Sequence, residues 1–186
     1  MSIEVNESVR MGDSGRSPAE IEQIRQDLPR WTAECTARAA SMSVALGADE
    51  DNYAADPLSA FAVWQDYLDS LPLDEFEHSD WVTLKTDVIA YLFAVLSQRF
   101  GCDWQVLTDE TAPRGYRYLV GAREDLDGVR YVDLFSLIAH ELDRGETQLL
   151  PFMSEALSQL GIPAILRVHT APAVEGENPS GQFGQP

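Results

Sequence analysis

Lysine is nearly missing from this chain. Lys85 is the only one, and 13 basic residues stand against 31 acidic ones, for a formal charge of -18 at pH 7. A protein that holds nucleic acid through its phosphates needs a basic stripe that releases counterions. Arg10, Arg16, Arg25, Arg30 and Arg38 are interleaved with acids and make no such stripe, which argues against direct DNA or RNA binding. Cysteine is scarce as well. Cys35 and Cys102 are the only two, and no charged leader with an apolar core and a small-residue cleavage site precedes them, so a cytoplasmic location is expected. Long apolar runs are also lacking. The stretch from Trp81 to Phe100 carries Lys85, Asp87, Gln98 and Arg99 at helical period, so it reads as a core helix and no membrane segment is expected. There is no repeat at a fixed period, which leaves solenoid architectures without support. A Gly-rich phosphate loop, a dinucleotide fingerprint, a cysteine pair at zinc spacing and a nucleophile elbow are all missing. No cofactor is therefore expected and no catalytic residue is singled out. A site assembled from distant residues leaves no local string, so an enzymatic activity stays open.

Core material, by contrast, is plentiful. Apolar residues make up 45% of the 186 positions and charged residues 24%, near the globular average, so a core can form without disulfides or a structural metal. Residues 1–16 are polar and interrupted by Gly and Ser, and residues 171–186 are rich in Pro, Gly, Ser and Gln. Both are expected to be disordered, flanking a single α+β domain over 17–170.

Within that domain the first signal is Ser17-Pro18-Ala19-Glu20. It has the form of a capping box, with proline in the first turn, where its missing N–H is harmless. Ile21, Ile24, Leu28, Trp31, Cys35, Ala39, Met42 and Leu46 continue as one apolar stripe up to Gly47. Pro29 interrupts the stripe. Because proline costs ~3 kcal/mol in a helix interior, a kink or two helices meeting near Leu28 are expected. Residues 48–56 read as an acidic loop. Asp56-Pro57 starts a helix bearing Leu58, Phe61, Trp64 and Leu68, which Pro72 ends. Ser79-Asp80 starts another, in which Trp81, Leu84, Val88, Leu92, Val95 and Leu96 define the central buried face, stopped by Gly101.

Beyond Gly101 the period changes to alternation. Trp104, Val106 and Thr108 share one strand face, Tyr116, Tyr118 and Val120 share another, and Val129–Val132 offers a short third strand after the turn Asp125-Leu126-Asp127-Gly128. This predicts an antiparallel meander. Two further helices, Leu134–Arg144 and Thr147–Leu160, each close on glycine, and Ala164–Val168 returns as a last short strand. The fold class is thus α+β: N-terminal helices packed with a small antiparallel meander, two further helices and a final strand.

Several strings resemble chemical motifs and fail on spacing. Gly12-Asp13-Ser14-Gly15 spells the surroundings of a serine-protease nucleophile. It lies in the arm, with too little chain before it to supply a histidine and an aspartate on a β-barrel. His140-Glu141 opens like a zinc-protease helix, but the second histidine would stand at 144, which is Arg144. Asp49, Glu50, Asp51 and Asp56 offer oxygens for calcium, yet counting from Asp49 puts Ala54 and Ala60 where an EF-hand needs glycine and glutamate. Asp74, Glu75, Glu77, His78 and Asp80 form the densest polar cluster, and such groups can bind a divalent cation or exchange protons. They are consecutive rather than spaced along one helix face, and Asp80 suits the positive end of the helix that follows. No metal is expected.

Arg99-Phe100-Gly101-Cys102-Asp103-Trp104, Tyr116-Arg117-Tyr118 and Arg144-Gly145-Glu146 mark a helix ending in glycine, a tryptophan-bearing strand, a meander and a helix ending near Arg-Gly-Glu. Over about residues 81–146 the chain resembles small bacterial α+β domains of unknown function. That resemblance implies a module used in toxin-immunity or regulatory contexts, and it carries over no catalytic residue.

These features point first to a non-catalytic binding module, an immunity or adaptor protein whose acidic residues Asp49, Glu50, Asp51, Asp56, Asp74, Glu75 and Glu77 engage a basic protein partner. Solubility is the blander meaning of the same charge. A second reading is a small-molecule-binding or enzymatic domain using the sheet face around Trp104, Tyr116 and Tyr118. A third is a subunit of a larger assembly with the Ile21–Leu46 stripe buried against another chain. The oligomeric state is left open.

Overall fold

A computed structural model describes residues 17–122 and 130–163 of the protein. The expected arm, the turn at Asp125–Gly128, the last strand at Ala164–Val168 and the tail lie outside the described residues.

The chain packs around one helix, α4 (His78–Phe100), in which every residue from Asp87 to Leu96 is buried. A helix buried on all sides must be covered on all sides. α1 (Pro18–Ala45) covers one flank, and the first strand, β1 (Cys102–Thr108), and α5 (Leu134–Asp143) cover others. From α3 (Phe61–Ser70), Trp64 stacks on Tyr91 with ring centroids 4.7 Å apart. The caps of α4 are local chemistry. The Glu77 N–H donates to Asp80 Oδ2 at 2.9 Å, so the helix starts at His78, one residue before the expected Ser79. Gly101 ends it at φ 66°, a left-handed conformation that favours glycine.

The meander forms as the alternation predicts. β1, β2 (Tyr116–Ala122) and β3 (Tyr131–Val132) pair antiparallel in chain order, with Trp104 opposite Val120 and Val106 opposite Tyr118. Cys102, Trp104 and Val106 point inward and are buried, whereas Thr108 is exposed. The third strand is shorter than expected, since Arg130 lies outside it and Val129 is not among the described residues.

Two local expectations are corrected. α1 is one continuous helix through Pro29, so of the kink or second helix expected near Leu28 the second helix does not form. Pro29 sits on the exposed side, while Leu28 and Trp31 beside it pack on the core. That packing outweighs one missing backbone hydrogen bond. Residues 48–56 are not a loop: α2 (Glu50–Ala55) forms there, with Asp49 accepting from the Asn52 N–H at 2.9 Å. Glu50 and Asp51 fall in its first turn, where the helix dipole favours acids. Asp56 then caps a 3₁₀ turn, Pro57–Ala60, by accepting from the Leu58 N–H at 3.0 Å.

After a tight connection at 144–148, α6 (Leu149–Leu160) follows α5, and the two helices lie side by side. Each turns one apolar face inward: Leu134, Ile138 and Leu142 from α5, and Phe152, Met153, Ala156 and Leu160 from α6.

Candidate functional site

The seven acidic residues singled out in the sequence fall into two groups that do not converge. Asp49, Glu50, Asp51 and Asp56 sit on and beside α2, and Gln98 Nε2 near the end of α4 donates to the carbonyls of Ala54 (2.9 Å) and Ala55 (3.1 Å). Arg99 reaches Asp56 at 3.8 Å, which fixes this group at the C-terminal end of α4. Asp74 and Glu75 lie in a 3₁₀ turn, Leu73–Glu75, and Glu77 is the N-cap of α4, which puts the second group at the other end. At 1.5 Å rise per residue, the helix between Glu77 and Gln98 holds the two groups about 30 Å apart. All seven except half-buried Asp56 are exposed.

The aromatic sheet face is closed. Trp104 is 4% exposed, its ring stacked on Phe93 at 5.0 Å and met edge-on by Trp31 of α1 at 4.8 Å. Trp31 also stacks on Tyr118 at 5.0 Å, so α1 lies over the sheet as a cover. The Ile21–Leu46 stripe is the surface that makes this cover, packed against α4 and β1 of the same chain. What remains open at this edge is a hollow of about 200 Å³ lined by Ile24, Leu28, Trp31 and Tyr118 with Asp27, Arg30 and Glu34. The cysteines are not primed as nucleophiles. Burial pushes the Cys102 thiol up to about 11 and raises that of Cys35 as well.

A larger concavity is one that the sequence reading passed over. It is a groove of about 730 Å³ between α5 and α6. On α6 it is walled by Pro151, Glu155 and Gln159, which recur every four residues on the side opposite the buried face. On α5 the wall is Ser136, Leu137, His140 and Glu141, with Asp133 at the N-cap. Leu137 is buried and Pro151 adds a second apolar surface, while Asp133, Glu141 and Glu155 supply carboxylates. No lysine or arginine lines the groove among the described residues.

Local bonds hold these groups in place. Asp133 accepts from the Ser136 N–H at 2.9 Å and from Ser136 Oγ at 2.8 Å. Glu155 Oε1 accepts from Gln159 Nε2 at 2.9 Å. Cations approach only from outside the lining: Arg117 bridges Asp109 (2.5 Å) and Asp133 (3.5 Å), and Arg144 comes within 4.0 Å of Glu141. Hydrogen bonds from Thr111 and then from Arg117 hold the Asp109 carboxyl well below the usual range, at about 2. Chemically, the groove can hold a cationic group beside an apolar one. His140 is exposed and Glu141 half-buried. The packing of α6 alongside makes them part of a wall.

Among the described residues, no three His, Cys, Asp or Glu side chains gather so as to hold a metal ion, and no helix is long and apolar enough to cross a membrane. No family model, curated protein or solved structure matches this chain. Its function is therefore argued from its own residues.

Proposed function

We propose that the protein is a non-catalytic acidic binding module that engages a basic protein partner, in an immunity or adaptor role. The observation that supports this is the fate of its few cations. Arg25, Arg38, Lys85, Arg99, Arg117 and Arg144 each lie within 4.0 Å of a carboxylate of the same chain. Lys85, the single lysine, is bound to Asp143 at 2.9 Å. These six cations are thus paired internally, and the surplus of acids over the whole chain, amounting to -18, sets up a field of negative sign. A field of that sign attracts basic proteins and speeds their encounter.

The test is kinetic. A partner is first captured by crosslinking in native lysate and then purified, and its association is followed by stopped-flow from low to physiological ionic strength. Screening acts mainly on encounter, so the on-rate should fall markedly while dissociation changes less. An on-rate indifferent to salt would remove the basis of this reading.

A further inference from the structure

We infer that the groove between α5 and α6 is the docking site for the basic partner, and that it takes a short segment pairing lysine or arginine side chains with an apolar one. This inference rests on the reading of an acidic module and adds its location and the chemistry of the occupant. Three observations converge on it. The groove's size, about 730 Å³, lies within the range of sites that enclose several side-chain-sized groups. Its charged lining residues are acidic, Asp133, Glu141 and Glu155; Arg117 at 3.5 Å from Asp133 and Arg144 at 4.0 Å from Glu141 partly offset two of them from outside the lining, and Glu155 has no arginine or lysine within 4.0 Å among the described residues. It also has an apolar element, since the exposed Pro151, across from the edge of buried Leu137, gives an incoming Leu or Met side chain a surface to cover.

The same two helices also carry exposed apolar side chains outside the groove lining. Val44, Val82, Phe135 and Leu150 are the large apolar residues left exposed among the described residues, and Phe135 is on α5 and Leu150 on α6. A scattered Val on a surface needs no explanation. Phe135 packs against Trp31, Trp104 and Tyr118 on the sheet side of α5, and neither it nor Leu150 lines the groove. The acidic groups at the two ends of α4 do not line this groove.

The experiment uses the full chain and a fluorescein-labelled synthetic peptide of alternating Lys and Leu, with a matching Glu and Leu peptide as control, followed by fluorescence anisotropy at physiological salt. The Lys/Leu peptide should bind and the Glu/Leu peptide should not. The double variant Glu141→Gln with Glu155→Gln should weaken binding about tenfold or more, whereas Glu50→Gln with Asp51→Asn, an equal change in charge, should alter it less than about twofold. Gln159→Lys leaves every carboxylate in place and adds a cation to the groove, and it should weaken binding as the groove double variant does. All three sets of changes are at solvent-accessible positions, and circular dichroism checks that each variant folds. Equal losses from the groove and α2 double variants would overturn the groove while leaving the basic-partner reading standing on the field alone. Failure of the wild type to bind the Lys/Leu peptide would also overturn the groove. The broader reading then falls only if the salt dependence of the captured partner is absent too.

Discussion

Arg38 and Asp87 stand 49 positions apart and meet where α1 packs on α4, their guanidinium and carboxylate in direct contact. The two side chains are not equivalent: Asp87 is 7% exposed and Arg38 49%. Removing the arginine strands a carboxylate in the core, whereas removing the carboxylate leaves an arginine that can turn to water. Arg38→Met should therefore destabilise by about 2 kcal/mol, below the ~3–5 kcal/mol of a fully buried pair, and Asp87→Asn by less. Urea midpoints of the two variants check this, and the reverse order would show that Asp87 is relieved by something other than Arg38. A second residue-scale expectation concerns acid. Because Asp109 is held down to about 2 in the folded chain, its contribution is fully present above the ordinary carboxylate range and is lost as the pH falls through about 4 toward about 2. Asp109→Asn lacks this group, so its thermal midpoint should drop less than that of the wild type between pH 5 and pH 2. Parallel drops would mean that the contacts to Thr111 and Arg117 do not persist in solution.

Among the elements, α1 is the one most at odds with its own composition. It keeps Pro29 in its interior and makes its burial mainly through residues spaced along one face, with Ile21, Ala39 and Ser43 fully buried. Its position is secured by tertiary contacts: Trp31 lies on Trp104 and Tyr118, and Arg25 Nε donates to the Val106 carbonyl at 3.3 Å. Proline is about 3 kcal/mol worse than alanine inside a helix, and its restriction of the unfolded chain returns up to about 1 kcal/mol. Since Pro29 is exposed, Pro29→Ala should raise stability by roughly 1–2 kcal/mol, read from denaturant midpoints at unchanged slope. A lower midpoint would show that a bend at Pro29 is what seats Trp31 over the sheet.

At the scale of the whole molecule the dominant fact is the charge of -18 on a chain of 186 residues. Like charges repel more when held in a compact shape than in an extended chain, so the native state carries an electrostatic strain that salt relieves. Raising sodium chloride from about 0.01 M to 0.15 M shortens the screening length from ~30 Å to ~8 Å. The thermal midpoint at pH 7 should rise over that range by differential scanning calorimetry. A fall would mean that ion pairs such as Lys85–Asp143 and Arg117–Asp109, which salt also weakens, outweigh the general repulsion.

Whatever depends on neighbours along the chain was legible in the residues themselves. The capping box at Ser17–Glu20, the glycine stop at Gly101, the change from helical to alternating period at Trp104 and the resulting α+β class all follow from local hydrogen bonding and side-chain spacing. Asp49 was misread as part of a loop although its capping role is equally local, because a run of acids hides a cap among its equals. The remainder was decided by packing. No local rule says that the two acidic groups are held apart by the length of α4, that α1 closes the aromatic face, or that Glu155 comes to face the side of α5 bearing His140 and Glu141. Such facts join residues tens of positions apart, and a period along the chain states which face is buried without stating which neighbour it meets. The groove exists because two amphipathic helices turn their apolar faces to the same core and leave their polar flanks opposed.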